Sequence, residues 1–223
     1  ANQTPTITFT VAGTSSTPIV IDGCIYAVCS VNHTGTRTVV IRDTALSLYT
    51  STAGAGNVFF DGDDKSGNAT GALFPFTFLA GQSVWARAFD VEVGHVPCVV
   101  CNGCNLWILG YKNERSGNSG SSLELFNGAK AEIFGHFFFP LGETANTLGA
   151  ALDISSSSLF DAPMFEFVQT TPRGFFNWAQ ETKNNLTLWA PTPSQNVGNY
   201  VLNGYYSKAA TPAATVTGNV VIK

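Results

Sequence analysis

Apolar and polar residues alternate in short runs along most of the chain, and the runs recur. Gly81-Gln-Ser-Val-Trp-Ala-Arg-Ala-Phe-Asp-Val-Glu92, Gly103-Cys-Asn-Leu-Trp-Ile-Leu-Gly-Tyr-Lys-Asn-Glu114 and Gly128-Ala-Lys-Ala-Glu-Ile-Phe-Gly-His-Phe-Phe-Phe139 share one pattern, with starts 22 and then 25 residues apart. A weaker copy follows near Ser158-Leu-Phe-Asp-Ala-Pro-Met-Phe-Glu-Phe167. Upstream, Pro18-Ile-Val-Ile-Asp-Gly-Cys-Ile-Tyr26 and Thr38-Val-Val-Ile-Arg-Asp43 read as earlier turns. A period of 20–25 residues carrying strands and no helix predicts a coil whose turns stack as parallel sheets, because one turn alone cannot bury its apolar side. The expectation is an all-β, right-handed parallel β-helix, a solenoid of about eight coils, forming a rod on the order of 40 Å long.

Alternation assigns the faces, since successive strand residues point to opposite sides. One parity holds Val84, Ala86 and Ala88, then Leu106, Ile108 and Gly110, then Ala131, Ile133 and Gly135. These small or aliphatic residues are expected inside the coil. The other parity holds Trp85, Arg87 and Phe89, then Trp107, Leu109 and Tyr111, then Glu132, Phe134 and His136. It is expected outside, as a ladder of aromatic rings.

Composition sharpens this reading. Only 12% of the 223 residues are charged and there are 17 Phe against one Met. That mix favours strands and tight turns. A net charge of −4 without a basic cluster argues against nucleic acid as a partner, and no apolar run approaches the roughly 18 residues of a membrane span. The whole of 1–223 reads as one domain, with 1–17 and 185–223 as capping or partner-pairing segments. Ile7–Val11 and Thr215–Ile222 within them alternate like strands. The opening Ala1-Asn2-Gln3-Thr4 is not a signal peptide and reads as a processed terminus or a cloning boundary. Sequons at Asn2, Asn32, Asn68 and Asn185 add weak support for secretion.

The segments Val84-Trp-Ala-Arg87, Leu106-Trp-Ile-Leu-Gly-Tyr-Lys-Asn-Glu114 and Asn127-Gly-Ala-Lys-Ala-Glu-Ile-Phe-Gly135 resemble the pectate-lyase-like superfamily. Its secreted right-handed parallel β-helices include glucan-hydrolysing enzymes and phage tailspikes. The resemblance covers about residues 57–168. It implies an extracellular or cell- or virion-surface protein that binds or depolymerises a polysaccharide, as a lyase or glycoside hydrolase if it is an enzyme. The Gly-Asp-Gly-x-x-Asp-Asp-Thr-like opening of such proteins is missing. Asp61-Gly-Asp-Asp64 is the nearest string, so the chain reads as later coils of a longer helix or as a shortened member. The competing class is a non-catalytic structural protein that builds a fibre or appendage. The chain is expected to work as a homo-oligomer, either as a side-by-side trimer, which the resemblance to tailspikes implies, or as an end-to-end filament.

Candidate chemistry is sparse. Glu92 and Glu114 occupy equivalent places on adjacent coils, where paired carboxylates can act as acid and nucleophile. The alternative is that they cap solvated turns beside Asp90 and Lys112. Trp85, Arg87, Phe89, Trp107, Tyr111, Phe134 and His136 form the candidate sugar platform or interface. Five cysteines leave at least one thiol outside any intrachain pairing. Cys98, Cys101 and Cys104 beside His95 hint at zinc, but disulfides or buried thiols are the favoured reading. Cys24 and Cys29 either pair locally or stay apart. No phosphate loop, dinucleotide fingerprint or Gly-x-Ser-x-Gly elbow occurs. Neither a metal nor another cofactor is expected, and Asp61, Asp63 and Asp64 read as a solvated turn.

Overall fold

A computed structural model describes residues 7–24, 29–62, 64–66, 75–93, 97–116, 121–141, 148–168, 175–184, 186–191, 198–202 and 205–207. Among them every regular element is a strand, and the strands sort into two sheets. Sheet A stacks the parallel strands β1 (Ile7–Val11), β3 (Cys29–His33), β5 (Leu46–Ser51), β8 (Phe76–Phe78), β10 (Val99–Asn102), β12 (Leu123–Phe126), β14 (Leu148–Ser155) and β16 (Phe175–Lys183). Sheet B stacks the parallel strands β2 (Ile19–Asp22), β4 (Val39–Arg42), β6 (Val58–Asp61), β9 (Ser83–Val93), β11 (Asn105–Ser116), β13 (Lys130–Leu141) and β15 (Ser158–Val168), and the short β7 (Asp64–Ser66) also pairs with β9. The chain visits the sheets alternately, which makes a parallel β-solenoid. Eight rungs of sheet A and seven of sheet B are described, slightly short of the expected eight coils.

The register follows the repeat. Trp107 pairs with Trp85 and Ile108 with Ala86, 22 residues back. Ala131 pairs with Leu106 and Ile133 with Ile108, at a spacing of 25. Ser158 faces Lys130, so the weaker copy is the next rung, and Ile19 faces Val39, so the two upstream segments are rungs too.

The parity assignment holds only for the first arm of each long strand. Val84, Ala86, Leu106, Ile108, Ala131 and Ile133 are buried, as expected. Beyond them the order reverses: Ala88, Gly110 and Gly135 are exposed, while Phe89, Tyr111 and His136 are each 1% exposed. Phe89, Tyr111 and His136 are therefore interior residues, and their outward placement is corrected. The cause is a left-handed residue at one position in each of these three coils, with φ +50° at Ala88 and +77° at Gly110 and Gly135. Such a residue turns the strand and repeats a side instead of alternating it, so Val91, Asn113 and Phe138 follow inward. Gly23, Asp43 and Gly62 continue the column in the earlier coils, where Gly23 N donates to Arg42 O and Gly62 N to Arg87 O.

The core is aromatic. Tyr49, Phe60, Phe76, Phe78, Phe89 and Tyr111 are fully buried. Phe60 and Phe76 stack at 5.9 Å, Phe76 and Phe89 lie at 5.6 Å, and Phe89 and Tyr111 stack at 6.1 Å. At the far end β17 (Leu186–Pro191) pairs antiparallel with β16. There β18 (Gly198–Leu202) and β19 (Tyr205–Ser207) pair antiparallel with β15. The tail thus extends the sheet edges, and Thr215–Ile222 lies outside the described residues. Cys24 is bonded to Cys29 and Cys101 to Cys104, while Cys98 is buried and belongs to neither disulfide. Two disulfides fit an oxidising compartment. No helix among the described residues is long and apolar enough to cross a membrane.

Candidate functional site

The first arm of sheet B presents two side-chain columns outward. Pairing along the rungs sets Val20, Val40, Phe59, Trp85, Trp107, Glu132 and Phe160 in one column. The three central rings stack in parallel: Phe59 on Trp85 at 4.7 Å and 9°, Trp85 on Trp107 at 5.1 Å and 11°. Both faces of the Trp85 indole are therefore covered by neighbouring rings, and its edge looks outward. The ladder stops at Trp107, because Glu132 comes next.

The second column runs Asp22, Arg42, Asp61, Arg87, Leu109, Phe134 and Ala162, so its first four members alternate in charge from rung to rung. Arg42 binds Asp22, and Arg87 clasps Asp61 with Nε at 2.8 Å and Nη2 at 2.6 Å. The Arg87 hydrogen bonds hold the Asp61 carboxyl below its usual value, and Asp61 in return raises Arg87. Asp22 raises Arg42 in the same way. All four side chains stay at least 40% exposed, so each pair contributes little by itself. Leu109 (60% exposed) and Phe134 (47%) complete the face. A shallow groove of about 530 Å³ runs between the columns, lined by Phe59, Trp85, Trp107, Arg87, Leu109 and Phe134. The bare corner column leaves a second groove of about 360 Å³ over Ala88, Gly110 and Gly135.

Of the sequence-derived candidates, the fold brings Trp85, Arg87, Trp107 and Phe134 together on this face. Glu114 pairs with Glu92 in backbone register, but the side chains of both lie outside the described residues. Lys112 donates to Asp90 Oδ2 at 2.7 Å. His95 and Asp63 lie outside the described residues, and no group of three or more metal-ligating side chains gathers among those described.

Two buried polar networks were not legible in the sequence. His33, Tyr49 and Gln82 are fully enclosed. His33 Nε2 donates to Arg37 O at 2.7 Å, which leaves Nδ1 to accept from the Tyr49 hydroxyl at 2.9 Å. Gln82 Nε2 donates to Tyr49 Oη at 2.8 Å and to Gly56 O at 2.9 Å. Burial lowers His33 and raises Tyr49. His136 is held at both nitrogens, Nδ1 2.8 Å from Asp161 Oδ2 and Nε2 2.7 Å from Asn113 Oδ1, with all three residues at most 1% exposed. Closed to water, both networks cross-link coils and cannot meet a substrate. Asp153, on the outward side of sheet A beside Glu124, has its carboxyl raised by burial. Its place in the column of Val100, Glu124, Asp153 and Gln180 was missed because β10 and β12 are only four residues each, too short to display a repeat. Comparisons of the chain with protein-family models, curated proteins and solved structures returned no match.

Proposed function

We propose that this chain is a non-catalytic structural β-solenoid of an extracellular or surface assembly, which works by side-on association with other copies of itself. The observation that carries this reading is the Phe59–Trp85–Trp107 ladder. A sugar ring stacks its C–H groups on the electron-rich face of an aromatic ring. Here the faces of Trp85 are already covered by Phe59 and Trp107, and the rings instead tie three coils into one flat surface. Flat apolar surface rimmed by charge is the ordinary substrate of protein–protein contact. The buried networks support the same reading, since each ties residues of three coils together.

A second reading, a carbohydrate-associated member of the pectate-lyase-like superfamily, draws on the coil pattern and on the groove lined by Trp107, Arg87 and Phe134. It is an analogy from fold to function. A glycan array combined with a reducing-end assay separates the two. The structural reading expects no release of reducing ends and no saturable glycan. Chain cleavage, or a glycan whose binding is abolished by Trp107→Ala in a folded variant, overturns it.

A further inference from the structure

The order of charges along sheet B carries more than stability. Over the rungs β2, β4, β6 and β9 the outward column reads Asp22, Arg42, Asp61, Arg87. Reversed, it reads base, acid, base, acid, so the column is the electrostatic complement of its own reversal. We propose that this four-rung face is the contact surface for a second copy of the chain, packed face to face and antiparallel about a two-fold axis that runs along the strands. This inference rests on the structural reading above and gives its contact a geometry.

Two face-to-face arrangements are open to a two-fold pair. With the axis along the solenoid, rungs meet at equal height, Asp22 opposes Asp22 and Arg42 opposes Arg42, and like charges face at all four rungs. With the axis along the strands, passing between β4 and β6, Asp22 opposes the partner copy's Arg87 and Arg42 opposes its Asp61. Every rung then sets acid against base. The neighbouring columns agree. The apolar column brings Val20 opposite Trp85 and Val40 opposite Phe59. The corner column brings the charge of Asp43 opposite Gly62, which carries none. On the far side of the apolar column, Pro18, Thr38, Asn57 and Ser83 add no charge. The same order disfavours a parallel three-fold bundle on this face, because equal heights again bring like charges together.

Four rungs about 4.8 Å apart and five residues of about 3.3 Å each give a footprint on the order of 300 Å² per copy. That is below the roughly 800 Å² per partner of a standard interface, so the pair is weak and salt-sensitive. Facing sheets lie about 10 Å apart, too far for a disulfide, so a short bis-maleimide is the fitting trap. Asp22→Cys and Arg87→Cys are made separately, at exposed positions that leave the core untouched; Cys98 is buried. The two variants are cross-linked singly and mixed, at low and high salt, with wild-type mass measured alongside. The expected result is a 22–87 adduct in the mixture only, lost at high salt. Adducts in the Asp22→Cys sample alone overturn the antiparallel geometry and leave side-on association standing. A wild-type mass above 23.6 kDa with no adduct overturns this face while sparing assembly elsewhere. A monomer with no adduct overturns both.

Discussion

Replacing Trp85 by alanine distinguishes a structural ladder from a ligand platform. The indole lies between Phe59 at 4.7 Å and Trp107 at 5.1 Å, both nearly parallel to it. Each stacked pair contributes about 0.5–1.5 kcal/mol beyond its area, so removing the central ring costs about 1–3 kcal/mol from stacking alone. Trp107→Ala deletes a side chain of the same size and the same half-buried class, but it breaks one stacked pair. Trp85→Ala is therefore expected to be the more damaging by about 1 kcal/mol. For a chain of this size each kcal/mol moves Tm by about 2–4 °C. Thermal melts followed by circular dichroism on both variants, with glycan binding measured on the same samples, give the comparison. If Trp85→Ala melts with wild type, or if Trp107→Ala is the worse of the two, the ladder is not what stiffens this face.

Three further outcomes follow from the coil geometry. Ala88 sits at φ +50° in the column where Gly110 and Gly135 stand, so Ala88→Gly should raise stability by about 0.5–1 kcal/mol in a urea titration, as relief of left-handed strain outweighs the added chain entropy. Gly56→Ala should cost about 1–3 kcal/mol or more, because its Cβ would press on the carbonyl oxygens of Thr36 and Arg37 in the adjacent coil, the latter at 2.6 Å; chemical denaturation against wild type checks it. Burial lowers the folded-state value of His33, so its contribution is complete above about pH 6.5 and is lost as pH falls through the folded value, the unfolded chain binding the proton more readily. Melts from about pH 7.5 down to about pH 4.5 should show a shallower acid decline in His33→Gln than in wild type.

The repeat spacing was legible because Gly81, Gly103 and Gly128 begin equivalent strands and a Trp follows at a fixed offset in two of them. The corner was not, although its signals were present. Gly110 and Gly135 stand inside strand patterns, where glycine marks a bend. The apolar spacing also lengthens from two to three between Ala86 and Phe89 and again between Ile108 and Tyr111. Strict alternation carried through these points sent Phe89, Tyr111 and His136 to the wrong side. The ionic column escaped notice because Asp22 and Arg42 lie on short strands 20 residues apart that carry no aromatic ring, and Asp61 reads in sequence as part of an Asp-rich turn. The buried networks join residues as far as 49 apart in sequence, and nothing local marks a His33 or a Gln82 as interior.

Sedimentation equilibrium of the wild-type chain, over concentrations up to about 0.5 mM at low and high salt, tests the central claim most directly. The structural reading predicts a mean mass that climbs above 23.6 kDa with concentration and falls back as salt screens the Asp22–Arg42–Asp61–Arg87 column. A mass of 23.6 kDa at every concentration and salt would contradict it.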